Sequence, residues 1–159
     1  MNFSLNIKSY GLTALSSVDA QSTSFSALKY QYPATPNIPM MQSRRMSIAT
    51  KLASELYLNI AKETSFDYAI FLSAHGEIER SFKILQQILQ DKLISPTDFS
   101  MSVHNVTSGI TGIMNKNNCE TTSIAASFDG FITVFYEILS ALQQGKKRIL
   151  LIANDGEMP

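Results

Sequence analysis

Residues Cys119–Leu139, CETTSIAASFDGFITVFYEIL, contain the only cysteine of the chain and then turn abruptly into an amphipathic stretch. A strand, a tight small-residue turn and a helix are a usual way to present a nucleophile, because a helix N-terminus favours a thiolate placed against it. The nucleophilic side chains to weigh are Cys119, ahead of the strand, and Ser127, in the turn. The plain reading of Cys119 is a small apolar residue at a strand entrance. The plain reading of Ser127 is the N-cap of the helix that follows. Catalysis is the competing reading for both.

Two histidines could serve as bases. His75 follows FLSA and precedes Gly76-Glu77, which reads as a loop residue capping or hydrogen-bonding the next helix. His104, in SVHN, reads as a hydrogen-bonding residue of structure or interface, with acid–base work as the alternative. Gly109 and Gly112 fit neither GxGxxG nor a phosphate-binding loop. Glu77 and Glu79 straddle a helix start, where acids favour the dipole. Without further ligands they make no metal site, and neither a metal nor a cofactor is expected. Asp155-Gly156 reads as a turn, and Met40, Met41 and Met46 as packing residues.

The elements that must hold these residues follow from periodicity. Asn2–Leu15 alternates loosely and predicts a first strand, and Ser16–Pro39 reads as an irregular arm closed by prolines. From Ser43 the spacing predicts a helix burying Met46, Ala49, Leu52, Ala53, Leu56 and Ile60, with Arg44, Lys51 and Glu55 off that face. Phe66–Ser73, FDYAIFLS, has the apolar density of a buried strand. GEIERSFKILQQILQDK predicts an amphipathic helix with Ile78, Phe82, Leu85, Ile88 and Leu89 inward. Ser95-Pro96 is an N-cap followed by the first helical position. Val103–Met114 predicts a short helix in which Gly109 and Gly112 admit a close neighbour. Thr121–Ala125 predicts a strand, Phe128–Gln144 a long helix ended by Gly145, and Arg148–Ala153 a last buried strand. The order is that of an α/β layered sheet.

Composition narrows the function classes. The 159 residues suit one domain, and 13 basic against 13 acidic side chains leave no excess for phosphate, so nucleic acid is not an expected partner. The run Lys146-Lys147-Arg148 reads as a helix end. A lone cysteine fits a reducing compartment. No apolar stretch reaches membrane-spanning length and no signal peptide is visible, so no membrane partner and a cytoplasmic location are expected. With 45% hydrophobic and only 16% charged residues, part of the surface is expected to be covered by a partner.

SRRMSIATKLASELY, FLSAHGEIERSFKILQQI, SPTDFSMSVHNVTSGI, the strand–turn–helix and GKKRILLIANDGEMP follow one another in an order that resembles the N-terminal domain of β-ketoacyl synthases in the thiolase superfamily. More narrowly it resembles the short chain-length factors of aryl polyene-type clusters. The resemblance covers Ser43–Pro159 well and the arm loosely. It implies a thiolase-like layered fold of αβαβα type, of which this chain supplies the N-terminal half. Residues 1–42 would be the first strand and arm, and 43–159 the synthase-like domain.

In a condensing enzyme of that family the turn carries a cysteine, and two histidines come from the second half. Laid on this sequence, the nucleophile position falls near Ala125, within Ile124–Phe128, where no cysteine stands. Cys119 would lie more than ~10 Å from that turn, and neither His75 nor His104 inherits the role of the family's histidines. The resemblance therefore implies a non-condensing subunit, a chain-length factor. It would pair with an active β-ketoacyl-ACP synthase, or with itself, in type II fatty acid or polyketide synthesis. Acyl carrier protein would be engaged indirectly. Phe99, Met101, Val103, His104, Asn105 and Met114 would line the acyl pocket or the interface. The rival is a synthase or acyltransferase completed by another chain, with Ser127 or Cys119 as nucleophile. A third possibility is a degenerate fragment.

Overall fold

The computed structural model describes residues 37–116 and 119–156. The expected first strand and all but the last residues of the arm lie outside them. FDYAIFLS supplies β1 (Tyr68–Ser73), in which every residue is buried. Strand β1 is the centre of a parallel sheet ordered β2-β1-β3, with β2 at Glu120–Ala125 and β3 at Ile149–Ala153. Tyr68 stands opposite Glu120 and Ile149, and Leu72 opposite Ile124 and Ala153. Six helices surround it among the described residues: α1 (Met40–Ser43), α2 (Ile48–Glu63), α3 (Ile78–Leu89), α4 (Pro96–Ser100), α5 (Val106–Asn115) and α6 (Gly130–Gln143). The layered α/β fold is thus present.

Side chains of β1 alternate between two apolar layers, as the two-residue period requires. Ala69 and Phe71 face α2 and α5, packing with Tyr57, Phe66, Met101, Val106 and Ile152. Tyr57 meets Phe66 edge-on at 5.1 Å and stacks on Phe71 at 5.9 Å. Tyr68, Ile70 and Leu72 face α6, against Val134 and Ala141. Helix α6 comes so near that a Cβ on Gly130 would sit 3.2 Å from Leu72 Cδ1. Its far end closes as the sequence predicts. Gly145 adopts φ +93°, with its N–H on the Leu142 carbonyl and that of Lys146 on the Ala141 carbonyl, which satisfies two orphan acceptors of the last turn.

Five expectations need correction. The helix predicted from Ser43 starts at Ile48, because Ser47 is its cap and accepts from the Thr50 N–H at 3.1 Å. Glu55, expected outside, is buried, with both carboxylate oxygens held by Asn37 at 2.6 Å. On α3 only Ile84 is buried, whereas Phe82, Leu85, Ile88 and Leu89 are exposed. Its polar side carries the ion pairs of Arg80 and Lys83 with Asp98. Gly109 and Gly112 have open space around them; close approach falls at Gly76 and Gly130 instead. Met40 and Met41 are exposed and only Met46 packs.

Polar links fasten the helices that cover β1. Buried Glu77 accepts from Ser47 Oγ and Thr50 Oγ1 at 2.6 Å and pairs with Arg80 Nε at 3.2 Å. Arg80 continues to Asp98 Oδ1 at 3.0 Å and donates to the Arg45 carbonyl, and Lys83 reaches Asp98 Oδ2 at 2.7 Å. Ser95 caps α4 by accepting from the Asp98 N–H, with Pro96 beginning the helix, as predicted. Thr50 and Ser54 also bond Thr107 and Thr111 across the α2–α5 contact at 2.8 and 2.9 Å.

Past β3, Asp155 fastens the carboxyl end of β1. It accepts from Ser73 Oγ at 2.6 Å and from the amides of Ala74 and His75 at 3.0 Å. Burial pushes its carboxyl pKa up, but the three hydrogen bonds together with the His75 charge outweigh burial and hold it below the ordinary 3.8. A depressed carboxylate stabilises the fold above its unfolded pKa, and that contribution is lost as pH falls through the folded value.

Ile70→Ala is expected to cost about 2–5 kcal/mol in urea unfolding, whereas Leu89→Ala changes stability by less than about 0.5 kcal/mol. Equal losses at the two positions would refute the exposed α3 face. In chemical unfolding at pH 5 and at pH values below 3.8, the stability gap between wild type and Asp155→Asn should narrow as pH falls. A gap independent of pH would remove Asp155 as a charged fastener.

Candidate functional site

The turn between β2 and α6 holds Ala125 and Ser127, to which the sequence points. Ala125 ends the strand and is exposed. Ala126 N–H donates to the Ser73 carbonyl at 3.3 Å, and Gly130 N–H to the Ser127 carbonyl at 3.2 Å. Ser127 and Phe128 are exposed, and α6 follows from Gly130. A strand, a tight turn and a helix are therefore present, with Ala125 and Ala126 at the strand end.

Ser127 is not the N-cap. That position is Asp129, and no side chain caps the helix. The reason is that the chain spends two more residues in the turn before entering helical geometry. The Ser127 hydroxyl has no hydrogen-bond partner among the described residues. Cys119 precedes β2 and is half-buried, its thiol donating to the Glu120 carbonyl at 3.3 Å. Burial pushes its pKa up, against the opposing charge of Lys146, which is the reverse of what a reactive thiol needs. The strand of six residues separates it from the turn by ~20 Å.

Beside the turn, at the carboxyl ends of the strands, lies a small depression lined by Ser73, Gly76, Glu77, His104, Thr107, Ser123 and Asn154 over Phe71. His104 Nε2 lies 3.1 Å from the Ser73 carbonyl. A carbonyl only accepts, so Nε2 carries the proton and donates. The same ring lies against Gly76, where a Cβ would come within 3.0 Å of His104 Cδ2. Gly76 itself holds φ +57° and donates its N–H to Ser73 Oγ at 2.7 Å. His104 thereby braces the β1–α3 turn. His75 enters the site through its backbone amide on Asp155, not through its ring.

Of Phe99, Met101, Val103, His104, Asn105 and Met114, only His104 lines this depression. Phe99, Val103 and Asn105 are exposed, Met101 is buried in the α2–α5 layer, and Met114 packs partly against it. Asn105 precedes α5 without a side-chain cap bond. Reading the sequence alone missed Ser73, Glu77 and Asp155 as the residues that shape the site. An acid placed directly after a buried strand, as in ILLIAND, was the available signal, since ligand-facing residues of open α/β sheets gather at strand carboxyl ends. No group of three metal-ligating side chains occurs among the described residues. No described helix is long and apolar enough to cross a membrane.

Comparison with known proteins agrees with this geometry. Residues 18–159 match the family described as β-ketoacyl synthase, N-terminal domain. Among solved structures, the chain is similar to one in the complex of the ketosynthase ApeO with its chain length factor ApeC from Xenorhabdus doucetiae. The identity is 36% and the TM-score 0.73, over 77% of this chain and 52% of the other. This chain thus matches about half the length of that relative. No curated protein matches. A parallel sheet with β1 at its centre, a tight turn and helix at the carboxyl end of β2, and a family match over most of the sequence lead to one assignment: the chain belongs to the β-ketoacyl synthase family, as its N-terminal, thiolase-like domain.

Proposed function

We propose that this chain is a non-condensing, chain-length-factor subunit that pairs with an active β-ketoacyl-ACP synthase in type II fatty acid or polyketide synthesis of aryl polyene type. The observation that carries this reading is the β2–α6 turn, where Ala125, Ala126 and an unassisted Ser127 stand in place of a thiol. Condensation needs a nucleophile to take the acyl group from its thioester. The scaffold that would present one has nevertheless been kept, which fits a subunit retained for its shape.

Assembly with another chain is further supported by what the fold leaves open. Among the described residues β2 pairs only with β1, and its outer edge carries neither proline nor lysine to discourage another strand. The complex to which the chain is similar joins a ketosynthase to a chain length factor. In the proposed assembly Phe99 and Val103, both exposed, would contact the partner and the acyl chain. His104 and Asn105 would form the rim beside them. Met101 and Met114, held in the core layer, would set the backing volume. Acyl carrier protein would be recognised through the active subunit, and the complex would work in the cytoplasm.

Co-expression with a ketosynthase from the same genome is expected to yield a stable complex that elongates acyl groups on a carrier protein. Cys119→Ala and Ser127→Ala in this subunit should each leave its rate within about twofold, because neither residue forms the acyl-enzyme bond. Incubation of the chain alone with acyl-carrier protein should give no covalent adduct by intact-mass spectrometry. An adduct that disappears in Ser127→Ala or Cys119→Ala would instead establish the acyltransferase alternative.

A further inference from the structure

The hydroxyls around the depression at the strand carboxyl ends have their protons assigned by their other partners. A carboxylate only accepts, so Thr50 Oγ1 spends its single proton on Glu77 at 2.6 Å. Thr107 must then be the donor in its 2.8 Å contact with Thr50. Ser108 spends its proton on the Asn105 carbonyl at 2.9 Å, so Ser123 donates in the 2.9 Å contact between the two serines. Thr107 and Ser123 therefore line the depression with lone pairs to offer and no proton to give. Asn154 lines it too. Its main-chain N–H donates to the Leu72 carbonyl at 2.9 Å, whereas its side-chain amide makes no hydrogen bond among the described residues.

We propose that this depression is the seat of one ordered water molecule, which donates to the Thr107 and Ser123 hydroxyls and accepts from the Asn154 amide. Three observations select that occupant. The cavity volume is about 10 Å³, room for a single water. An internal water takes about three polar partners, and these residues supply two acceptors and one donor, the complement of what a water offers. Charge favours water over a cation. Glu77, the acid in the lining, is already met by Arg80 at 3.2 Å, and no group of three metal-ligating side chains occurs among the described residues. Thr107 belongs to α5 and Ser123 to β2, while Asn154 follows β3, so the water ties the end of the last strand to both. The depression is also far too small for an acyl chain, since ligand pockets are ~300–1,000 Å³. That corollary bears on the function proposed above; the water site itself does not depend on it.

The test is a crystal structure of the full chain, alone or with whatever subunit it purifies with, from crystals soaked in a thallium salt. One density peak is expected, ~2.7–3.2 Å from Thr107 Oγ1, Ser123 Oγ and the Asn154 side chain, without anomalous signal. Asn154→Leu, close in shape and lacking the amide, should lose the peak while its far-UV circular dichroism spectrum stays unchanged. Should that variant fail to fold, Ser123→Ala provides the second reading, with the same loss expected. A thallium signal would identify a monovalent cation in place of water and overturn the proposal. Empty density in the wild type would overturn it as well, and so would a peak that persists in the folded variant.

Discussion

Strand β1 must be hidden from water on both faces and hydrogen-bonded on both edges, and the rest of the domain follows from that requirement. Its six residues are all buried, with Ala69 and Ile70 inaccessible. A strand in that position can only be central, so β2 and β3 flank it in parallel, and parallel neighbours need helical crossovers. The crossovers, with α2 from ahead of β1, supply the covering layers: α2 and α5 on the side of Phe71, α6 on the side of Ile70. Burial of apolar area at ~25 cal/mol per Å² is the favourable term that holds these layers. Alternation along one short strand thus assigns every helix that touches it to a face.

The same constraint creates the site. Where β1 ends, its last carbonyl, that of Ser73, emerges from the ladder and needs partners. It receives the Ala126 amide from the β2–α6 turn and the His104 ring from the segment before α5. The Ser73 hydroxyl, in turn, joins Asp155 and the Gly76 amide. Three separate stretches of chain are therefore tied to one residue. This bracing fixes the turn between β2 and α6 firmly at the carboxyl end of β1. The shape of the turn is thus held by backbone and neighbouring contacts, whatever side chains it carries.

Glu77 shows how the outer helices are attached. It lies at the start of α3, where a carboxylate also suits the helix dipole, but its partners come from α2 and from Arg80. Arg80 and Lys83 then fasten Asp98 of α4. These contacts fix α3 and α4 through charge and leave the apolar faces of α3 and α6 uncommitted within the described residues. The low proportion of charged residues in the sequence has its structural counterpart there.

By itself the sequence determined what is local. FDYAIFLS is too uniformly apolar to be anything but a central strand. Ser95-Pro96 begins a helix because a hydroxyl cap and a fixed φ act within one turn. Gly145 ends one because only glycine takes a positive φ without strain. The missing thiol is likewise a matter of residue identity. What tertiary structure decided depends on groups far apart in the chain. Glu55 turned inward because Asn37, eighteen residues earlier, meets its carboxylate. His104 became a brace because Gly76 leaves room for its ring, and Asp155 a fastener because β3 ends beside β1. Arg80 and Lys83 of α3 pair with Asp98 of α4, contacts that no periodicity reveals. Period and propensity act over a few residues, whereas the pairing of buried polar groups is settled only when the layers close.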